Sequence, residues 1–385
     1  MACGGRSPRP RADREWFARG IREMTGSARS QDVPMGSDIA LLQQVNAVAP
    51  IRICDNGGWT DTWFAGHGKV FNIAVYPYVE VQMRVLRRDG ARERFTIYAE
   101  NYGEKYSLAD PRGAYDKHPL LEAALDYMHI PDEVALELAI HSEAPGGCST
   151  GTSAAVSVAL IGALDCLTPG RLTPHEVAAA AHRIETGLLK QECGIQDQLA
   201  SAYGGICYID MHQFPHASVS RIEVPAALSW ELESRLLLVY TGQAHSSSDV
   251  HRKVIRELED AGPGCPKLMP LRRAAECSRD ALYAGDLKAL GQAMIANTDA
   301  QGELNASLIG PAHREIIAIA RRHGAVGWKV NGAGGNGGSV AILTSPDHSA
   351  KRATIREIES ANPAYRNIPV RLADHGLRVW ESRLG

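Results

Sequence analysis

The sequence predicts an α+β fold of two domains. A chain of 385 residues is longer than one hydrophobic core usually organises, so two domains are expected. Strand and helix patterns follow one another without the regular rhythm of βαβ units, which favours α+β over a doubly wound sheet. We predict a first domain over residues 45–225 and a second over residues 226–385.

The first 37 residues are expected to be a disordered extension. They are rich in Arg, Pro, Gly and Ser and contain no apolar core. They lack the apolar run of a signal peptide, and their acidic residues argue against a transit peptide.

The first domain opens with strand patterns. Residues 45–53 resemble a strand that leads into a Gly-Gly turn. Alternating or β-branched residues then predict strands at 70–75, 78–86 and 95–98, which we interpret as an antiparallel meander. A short amphipathic helix at 119–127 and a strand at 134–141 follow.

The segment EAPGGCSTGTSAAVSVALIGAL, residues 143–164, is the most informative part of the chain. A loop of small residues runs directly into an apolar helix, and its glycines permit a tight turn. The first amides of a helix lack intrahelical acceptors and lie at the positive end of the helix dipole. The segment therefore predicts a phosphate-binding loop, although a flexible loop with a Ser/Thr cap has the same composition.

A second helix start is marked by Thr173, Pro174 and Glu176. Threonine caps the helix, proline takes its first position and glutamate closes a capping box. Strands are predicted after this helix at 205–210, 219–224 and 235–240.

The second half of the chain is rich in helix patterns. Helices are predicted at 248–259, 268–283, 287–304 and 311–323. Asp286 is a suitable N-cap for the third of these, and Gly324 a suitable stop for the fourth. A strand at 340–344, a helix at 349–361 and two short strands complete the chain.

The glycine run at 332–337 satisfies the dinucleotide pattern GxGxxG, but its context is wrong. A dinucleotide loop precedes a helix near the start of a βαβ unit. Here a strand follows, and fewer than fifty residues remain. We interpret the run as a loop that lets the backbone approach another group closely.

Composition excludes several classes of function. The net charge is −3, and no block of Lys and Arg indicates a nucleic-acid surface. The apolar run at 154–164 is too short to cross a membrane. Eight scattered cysteines without a CxxC pair predict free thiols and a cytoplasmic protein with neither a zinc site nor a redox couple.

Three motifs together resemble the GHMP kinases. They are APIRICDNGGWTDT at 49–62, the loop ending in STGTSA at 149–154, and KVNGAGGNGGS at 329–339. The resemblance implies a ribosomal-protein-like N-terminal domain that binds ATP, a ferredoxin-like C-terminal domain, and an active site between them. It also implies ATP and Mg²⁺ as cofactors, with a monomer or homodimer as the assembly.

The resemblance assigns roles to several residues. Asp197 would act as the base or orient the acceptor hydroxyl, and Arg52 would stabilise the transferring phosphate or orient the base. Glu185 would hold Mg²⁺ with a loop hydroxyl, Thr152 or Ser153, of which the register favours Ser153. The residues expected to bind the ATP phosphates are Gly146, Gly147, Ser149, Thr150, Gly151, Thr152, Ser153 and Ala154.

The acceptor side resembles the fucokinases and heptose-phosphate kinases. Asp61 would bind sugar hydroxyls, since a carboxylate accepts from two hydroxyls at once. The other residues expected on this side are Gly58, Trp59, Gly334, Gly335 and His245. If the acceptor already carries a phosphate, His245, Arg252 and Lys329 are the candidates to pair with it.

We therefore expect an ATP-dependent sugar kinase acting on a monosaccharide or sugar phosphate. The anomeric hydroxyl of a heptose 7-phosphate or a deoxyhexose is the implied target. One alternative is a GHMP kinase with another small-molecule acceptor, and a second is a non-catalytic sugar or nucleotide sensor on the same fold.

Overall fold

The computed structural model of the chain describes residues 41–88, 93–244 and 247–382. The predicted extension at 1–37 and the predicted substrate residue His245 lie outside these ranges.

The described residues form thirteen strands and ten α-helices, numbered here in chain order. The strands are β1 Leu41–Asn56, β2 Gly68–Arg87, β3 Phe95–Ala99, β4 Glu104–Leu108, β5 Val134–Ser142, β6 Ile206–Gln213, β7 His216–Arg221, β8 Leu236–Tyr240, β9 Gly327–Val330, β10 Ser339–Leu343, β11 Arg366–Ile368, β12 Arg371–Leu372 and β13 Arg378–Ser382. The helices are α1 Pro119–Tyr127, α2 Thr152–Asp165, α3 Pro174–Arg183, α4 Gln196–Tyr203, α5 Ala226–Arg235, α6 Ser247–Leu258, α7 Leu268–Tyr283, α8 Leu287–Leu304, α9 Pro311–Arg322 and α10 His348–Ala361.

Two sheets organise the chain, which confirms the predicted α+β class. The larger sheet runs in the order β13-β1-β2-β5-β3-β4. β6 and β12 also pair with β2, and β7 pairs with β6. The smaller sheet runs in the order β11-β8-β10-β9, with every pair antiparallel. The strands and helices are interleaved, but the described residues form no repeated βαβ unit.

The predicted antiparallel meander is wrong in its pairing. The segments predicted as separate strands at 70–75 and 78–86 are one long strand, β2, whose first part pairs with β6 and whose second part pairs with β5. Pro77 does not end the strand because it lies where the register with β1 shifts, between Pro50 and Ile51, and proline is tolerated at such a bulge. β3 pairs in parallel with β5 rather than with β2.

Helix α2 lies against the large sheet at the centre of the main core. It contacts β1 and β2, and eleven of its fourteen residues are buried. A helix apolar on every side must be enclosed, so α2 has one fixed position, with its N-terminus at the end of β1.

The helix start predicted at Thr173 is confirmed. The Thr173 side chain accepts from the Glu176 amide, and the Glu176 carboxylate accepts from the Thr173 amide at 2.8 Å. α3 then continues into one π-helical turn, Ile184–Leu188, a distortion that often marks a functional site.

The second half of the chain packs its own helices around the small sheet. Ile316 and Ile319 of α9 and Ile358 of α10 are buried with Val330, Val340 and Ile342 of the sheet. The sequence missed α4, α5, β4 and β9, and it predicted two closing strands where the structure has three. The bounds predicted for α7 and α8 match the structure.

The end of the chain returns to the large sheet. β13 pairs with β1, from Gln44 opposite Ser382 to Val48 opposite Arg378, and β12 pairs with β2. The domain division at residue 225 stays a prediction. In the structure, β12 and β13 belong to the larger sheet, together with the strands of the predicted first domain.

In the part of the chain that the structure describes, no helix has the length and apolar character needed to cross a membrane.

Candidate active site

A cavity of about 300 Å³ lies where the ends of several elements converge. Its walls are the end of β1 and the turn after it, the loop that leads into α2, the segment before and at the start of α4, and the glycine loop after β9. The ends of strands and helices leave backbone groups unpaired, so their convergence creates a polar cavity.

The loop before α2 forms one wall. Gly151 is the N-cap of α2 and has left-handed dihedrals, φ 70° and ψ 24°, and α2 has no side-chain cap. The loop is held from outside, because the Arg52 amide donates to Thr150 O at 2.9 Å and Ser339 Oγ donates to Cys148 O at 2.6 Å. The first amides of α2, at Thr152, Ser153 and Ala154, therefore lie uncapped on the cavity wall. This arrangement can bind phosphate oxygens.

Gly151 is required by space as well as by dihedral angle. A Cβ at this position would lie 3.2 Å from Asp197 Cγ and 3.3 Å from Asp197 Oδ2. The loop before α2 and the carboxylate of Asp197 are thus in close contact.

Arg52 holds Asp197 with a bidentate ion pair. Arg52 Nε donates to Asp197 Oδ1 at 2.8 Å and Arg52 Nη2 donates to Asp197 Oδ2 at 3.2 Å. Arg52 is buried with 3% of its side chain exposed, whereas 28% of the Asp197 side chain is exposed. Burial opposes the charge on Arg52, but Asp197 and Asp55 outweigh it and raise the Arg52 pKa. The geometry fixes Asp197 as an oriented carboxylate at the cavity surface.

Asp61 lies in the same cavity, beside the first residue of α4. Its Oδ2 accepts from the Gln196 amide at 3.1 Å, and only 2% of its surface is exposed. Burial raises the pKa of Asp61 to about 6, against the hydrogen bond from Gln196 and with help from the charge of Asp197. Gly194 allows this packing, because a Cβ there would lie 1.9 Å from Asp61 Oδ2.

Glu185 lies on the π-helical turn and faces the cavity with Gln198. Gln198 Nε2 donates to Glu185 Oε1 at 2.8 Å. Burial raises the pKa of Glu185 to about 7, although the Gln198 hydrogen bond opposes this shift. Ser153 and Thr152 line the same cavity.

The described residues contain no cluster of three or more His, Cys, Asp or Glu that could hold a metal ion. Magnesium bound to a nucleotide commonly takes only one or two protein oxygens, so Glu185 with a loop hydroxyl is a suitable donor set.

Most of the residues predicted from the sequence lie together in this cavity. Those that line it are Arg52, Trp59, Asp61, Gly147, Ser149, Thr150, Gly151, Thr152, Ser153, Ala154, Glu185 and Asp197.

Four predicted glycines lie outside the cavity lining. Gly146 is exposed, and Gly58 packs on Asp55, whose Oδ2 would lie 3.0 Å from an added Cβ. Gly334 packs on Leu308 O, at 2.3 Å from an added Cβ, and Gly335 forms a β-bridge with Ile309. The contacts found for Gly58, Gly334 and Gly335 are with protein, and their assignment to the substrate side stays a prediction.

Lys329 is also not on the cavity wall. Its ammonium is buried against Asp55 and Gln301, so the structure does not support its candidacy as a partner for an acceptor phosphate. Arg252 is exposed on α6 and does not line the cavity.

Sequence reasoning missed several residues that line the cavity. Asp55 is the most important, because it accepts from the Gly332 amide at 2.9 Å and so connects the two glycine-rich motifs. Gln196 and Gln198 each place on the wall a buried side chain whose Oε1 has no hydrogen-bond partner among the described residues. Both glutamines flank Asp197 in the sequence, so the motif around Asp197 could have indicated them. Gly332, the partner of Asp55, lies 277 positions away, so no local pattern indicated Asp55.

Comparison with known proteins agrees with this architecture. The family description "GHMP kinases N terminal domain" matches residues 119–205, and "GHMP kinases C terminal" matches residues 278–361. Mevalonate kinase of Thermococcus sibiricus is 31% identical over 251 residues, covering 63% of this chain and 68% of that protein.

Two further proteins are similar to this chain. The bifunctional fucokinase/GDP-fucose pyrophosphorylase of Arabidopsis thaliana is 26% identical over 374 residues, which cover 91% of this chain and 34% of that protein. The crystal structure of a D-glycero-D-manno-heptose 1-phosphate kinase from Bacteriodes thetaiotaomicron superposes with a TM-score of 0.68 at 20% identity, covering 88% of this chain and 100% of that one.

The fold, the phosphate loop and these matches define an ATP-dependent small-molecule kinase. The chain belongs to the GHMP kinase family. The resemblance stated from the three sequence motifs is confirmed.

Proposed function

We propose that this kinase transfers the γ-phosphate of Mg²⁺-bound ATP to a hydroxyl of an uncharged monosaccharide, with the anomeric hydroxyl of a deoxyhexose as the leading target. One observation carries the proposal: the Asp197 carboxylate, clamped by Arg52, touches the start of α2 and shares a cavity with buried Asp61. Phosphoryl transfer requires these elements, a phosphate cradle beside an oriented acceptor.

Each residue has a part in the transfer. The uncapped amides of α2 bind the ATP phosphates, and Asp197 accepts the hydrogen bond of the attacking hydroxyl and takes its proton. Arg52 holds Asp197 in one orientation through two hydrogen bonds. Glu185 and Ser153 would hold Mg²⁺, which would supply positive charge against the phosphates.

The charges on the cavity wall favour an uncharged acceptor over a sugar phosphate. The carboxylates on the wall belong to Asp55, Asp61, Glu185, Glu192 and Asp197. Among the lining residues that the structure describes, Arg52 is the one Lys or Arg, and its guanidinium is already bound to Asp197 and Ser149 O. An acceptor with its own phosphate would meet repulsion at this wall, whereas hydroxyls can donate to Asp61 and to the Oε1 of Gln196.

The relatives support two other acceptors. Mevalonate kinases match about two thirds of this chain, but a carboxylate acceptor would face the same acidic wall. A non-catalytic sensor on this fold has no need of a clamped carboxylate, so the Arg52–Asp197 pair favours an enzyme.

A paired panel of acceptors tests the proposal. L-Fucose, other deoxyhexoses and free heptose are compared with heptose 7-phosphate and mevalonate, each with ATP and Mg²⁺, by ADP release and by ³¹P NMR of the product. We expect turnover with an uncharged sugar and an anomeric phosphate in the product. Turnover confined to heptose 7-phosphate or mevalonate would replace the proposed acceptor, and binding of sugar without ADP release would indicate a sensor.

A further inference from the structure

Four buried or half-buried charges form an alternating row that reaches the cavity wall, which we call the charge row. Lys329 Nζ lies 3.3 Å from Asp55 Oδ1, and Asp55 Oδ2 lies 3.9 Å from Arg52 Nη2. Arg52 then holds Asp197 at 2.8 Å. Two cations and two carboxylates alternate from the small sheet to the cavity.

Lys329 directs its ammonium toward protein groups. The side chain is 1% exposed, and its Nζ contacts Asp55, Gln301 Oε1 at 3.0 Å and the carbonyl of Val330. An ammonium has three donors, so these acceptors occupy all of them. Lys329 therefore has no donor available to a ligand. Burial lowers the pKa of its ammonium, whereas the charge of Asp55 opposes this shift and favours the cation.

Asp55 joins the two sheets at this point. It is the second-last residue of β1 in the large sheet. Its carboxylate accepts from the Gly332 amide at 2.9 Å and faces Lys329 of β9 in the small sheet. Asp55 is 1% exposed, so water cannot screen its charge.

Asp55 and Asp197 both attract Arg52. Arg52 lies between the two carboxylates and makes its short contacts with Asp197. A buried carboxylate that lacks its own cation draws the nearest available one, because uncompensated charge in the interior is strongly unfavourable. Lys329 supplies that cation.

We propose that Lys329 is a positioning residue that neutralises Asp55 so that Arg52 remains bound to Asp197. Lys329 would affect the reaction through Arg52 and Asp197, so this part of the inference rests on the proposed function. The charge row thereby makes the geometry of the catalytic carboxylate depend on a residue of the other sheet.

Removing one charge and then its partner tests the proposal. In Lys329→Met, which keeps the length of the side chain, Arg52 should move toward Asp55, and kcat should fall by about 10- to 100-fold because small displacements of a catalytic group are costly. The KM values for ATP and sugar should change by less than about threefold, because neither ligand touches Lys329. In the double variant Asp55→Asn with Lys329→Met, the pull on Arg52 is gone and kcat should return to within about threefold of the wild type.

Arg235→Met is the matched control. Arg235 is another buried cation beside the small sheet, bonded to Thr344 O at 2.8 Å and to Glu231 at 2.9 Å, and it does not line the cavity. Its loss should lower Tm as Lys329→Met does but leave kcat unchanged. If Arg235→Met lowered kcat equally at the same loss of Tm, or if the double variant were no more active than Lys329→Met, the positioning role would be refuted.

Crystal structures of the two Lys329 variants separate this inference from the proposed function. We expect the Arg52–Asp197 pair to be broken in the single variant and restored in the double variant, a result that needs no acceptor. An intact pair in Lys329→Met would overturn the inference even if the enzyme phosphorylates a sugar. Absence of sugar turnover in the wild type would overturn the proposed function and leave the structural test unaffected.

Discussion

At the level of single residues, Arg52 and Asp197 form an ion pair whose two members differ in burial. The guanidinium is almost fully enclosed, so it cannot reach a ligand without losing Asp197. Asp197 retains an exposed edge and is the member of the pair that can meet a hydroxyl. The pair is a bidentate clamp, which restricts the carboxylate to one plane.

Replacing Asp197 by Asn should remove the proton acceptor while keeping the shape of the site. We expect kcat to fall by roughly two to four orders of magnitude, the usual scale for lost proton-transfer help. The dissociation constant for ATP, measured by calorimetry, should stay within about threefold, because the amides of α2 are untouched. Asp126→Asn, a carboxylate bonded to Tyr115 outside the cavity, is the control and should keep its turnover. Near-normal kcat in Asp197→Asn would remove Asp197 from the reaction.

The buried carboxylate of Asp61 should lower the stability of the fold at neutral pH. Its folded pKa of about 6 lies above the ordinary value of 3.8, so its ionisation opposes folding. The penalty is absent below pH ~4 and complete above pH ~7. Asp61→Asn should therefore raise the unfolding free energy by roughly 1–3 kcal/mol at pH 8 and by little at pH 4.

The same Asp61→Asn variant should raise the KM for sugar, since an amide offers one acceptor where a carboxylate offers two. Denaturant titrations at the two pH values and sugar kinetics provide both measurements. A stability difference that does not grow with pH would show that Asp61 is not held with a raised pKa, and an unchanged KM would place it outside the sugar contacts.

At the level of elements, the start of α2 depends on one residue with left-handed dihedrals. Gly151 both caps the helix and gives room to Asp197. The loop, the helix and the Asp197 carboxylate therefore meet at one residue.

Gly151→Ala should damage catalysis more than stability. The added Cβ would press on Asp197, and we expect kcat to fall by roughly tenfold or more through displacement of the carboxylate. The cost of the left-handed dihedral is about 1–2 kcal/mol of unfolding free energy.

Gly170→Ala is the matched control, because Gly170 has φ 87° but no atom within 4 Å of an added Cβ. It should lose similar stability in thermal unfolding and retain kcat. If both variants lost kcat equally, the contact between Gly151 and Asp197 would have no catalytic importance.

At the level of the whole molecule, the last two strands, β12 and β13, pack against elements of the first half of the chain. Leu377 packs against α2 at Gly162, where an added Cβ would lie 2.6 Å from Leu377 Cδ2, and its amide donates to Ala202 O at 3.2 Å. β13 covers the outer edge of β1, the strand that carries Arg52. The end of the sequence thus supports the elements that form the active site.

Deleting residues 371–385 should destabilise the protein severely. The loss of β12 and β13 leaves an edge of β1 unpaired, and exposed edges promote aggregation. We expect a loss of roughly 3–5 kcal/mol, or about 10 °C in Tm, in calorimetry. Deleting residues 1–37 is the comparison and should leave Tm and kcat unchanged. A stable, active enzyme without residues 371–385 would show that the returning strands are dispensable.

The sequence by itself determined the class of fold, most of the helices and the main parts of the site. Helical periodicity, the capping box at Thr173 and the small-residue loop before α2 act within a few residues of the chain, so they can be predicted from local pattern. The motif resemblance pointed to Asp197, Arg52 and Glu185, all of which line one cavity.

Only the tertiary structure decided the pairing of β3 with β5, the return of β13 to β1, and the charge row through Asp55 and Lys329. These depend on contacts between residues far apart in the chain, whose partners no local pattern specifies. The energy of a buried charge depends on which groups surround it, so the role of Asp55 becomes visible only when β1 and β9 are brought together.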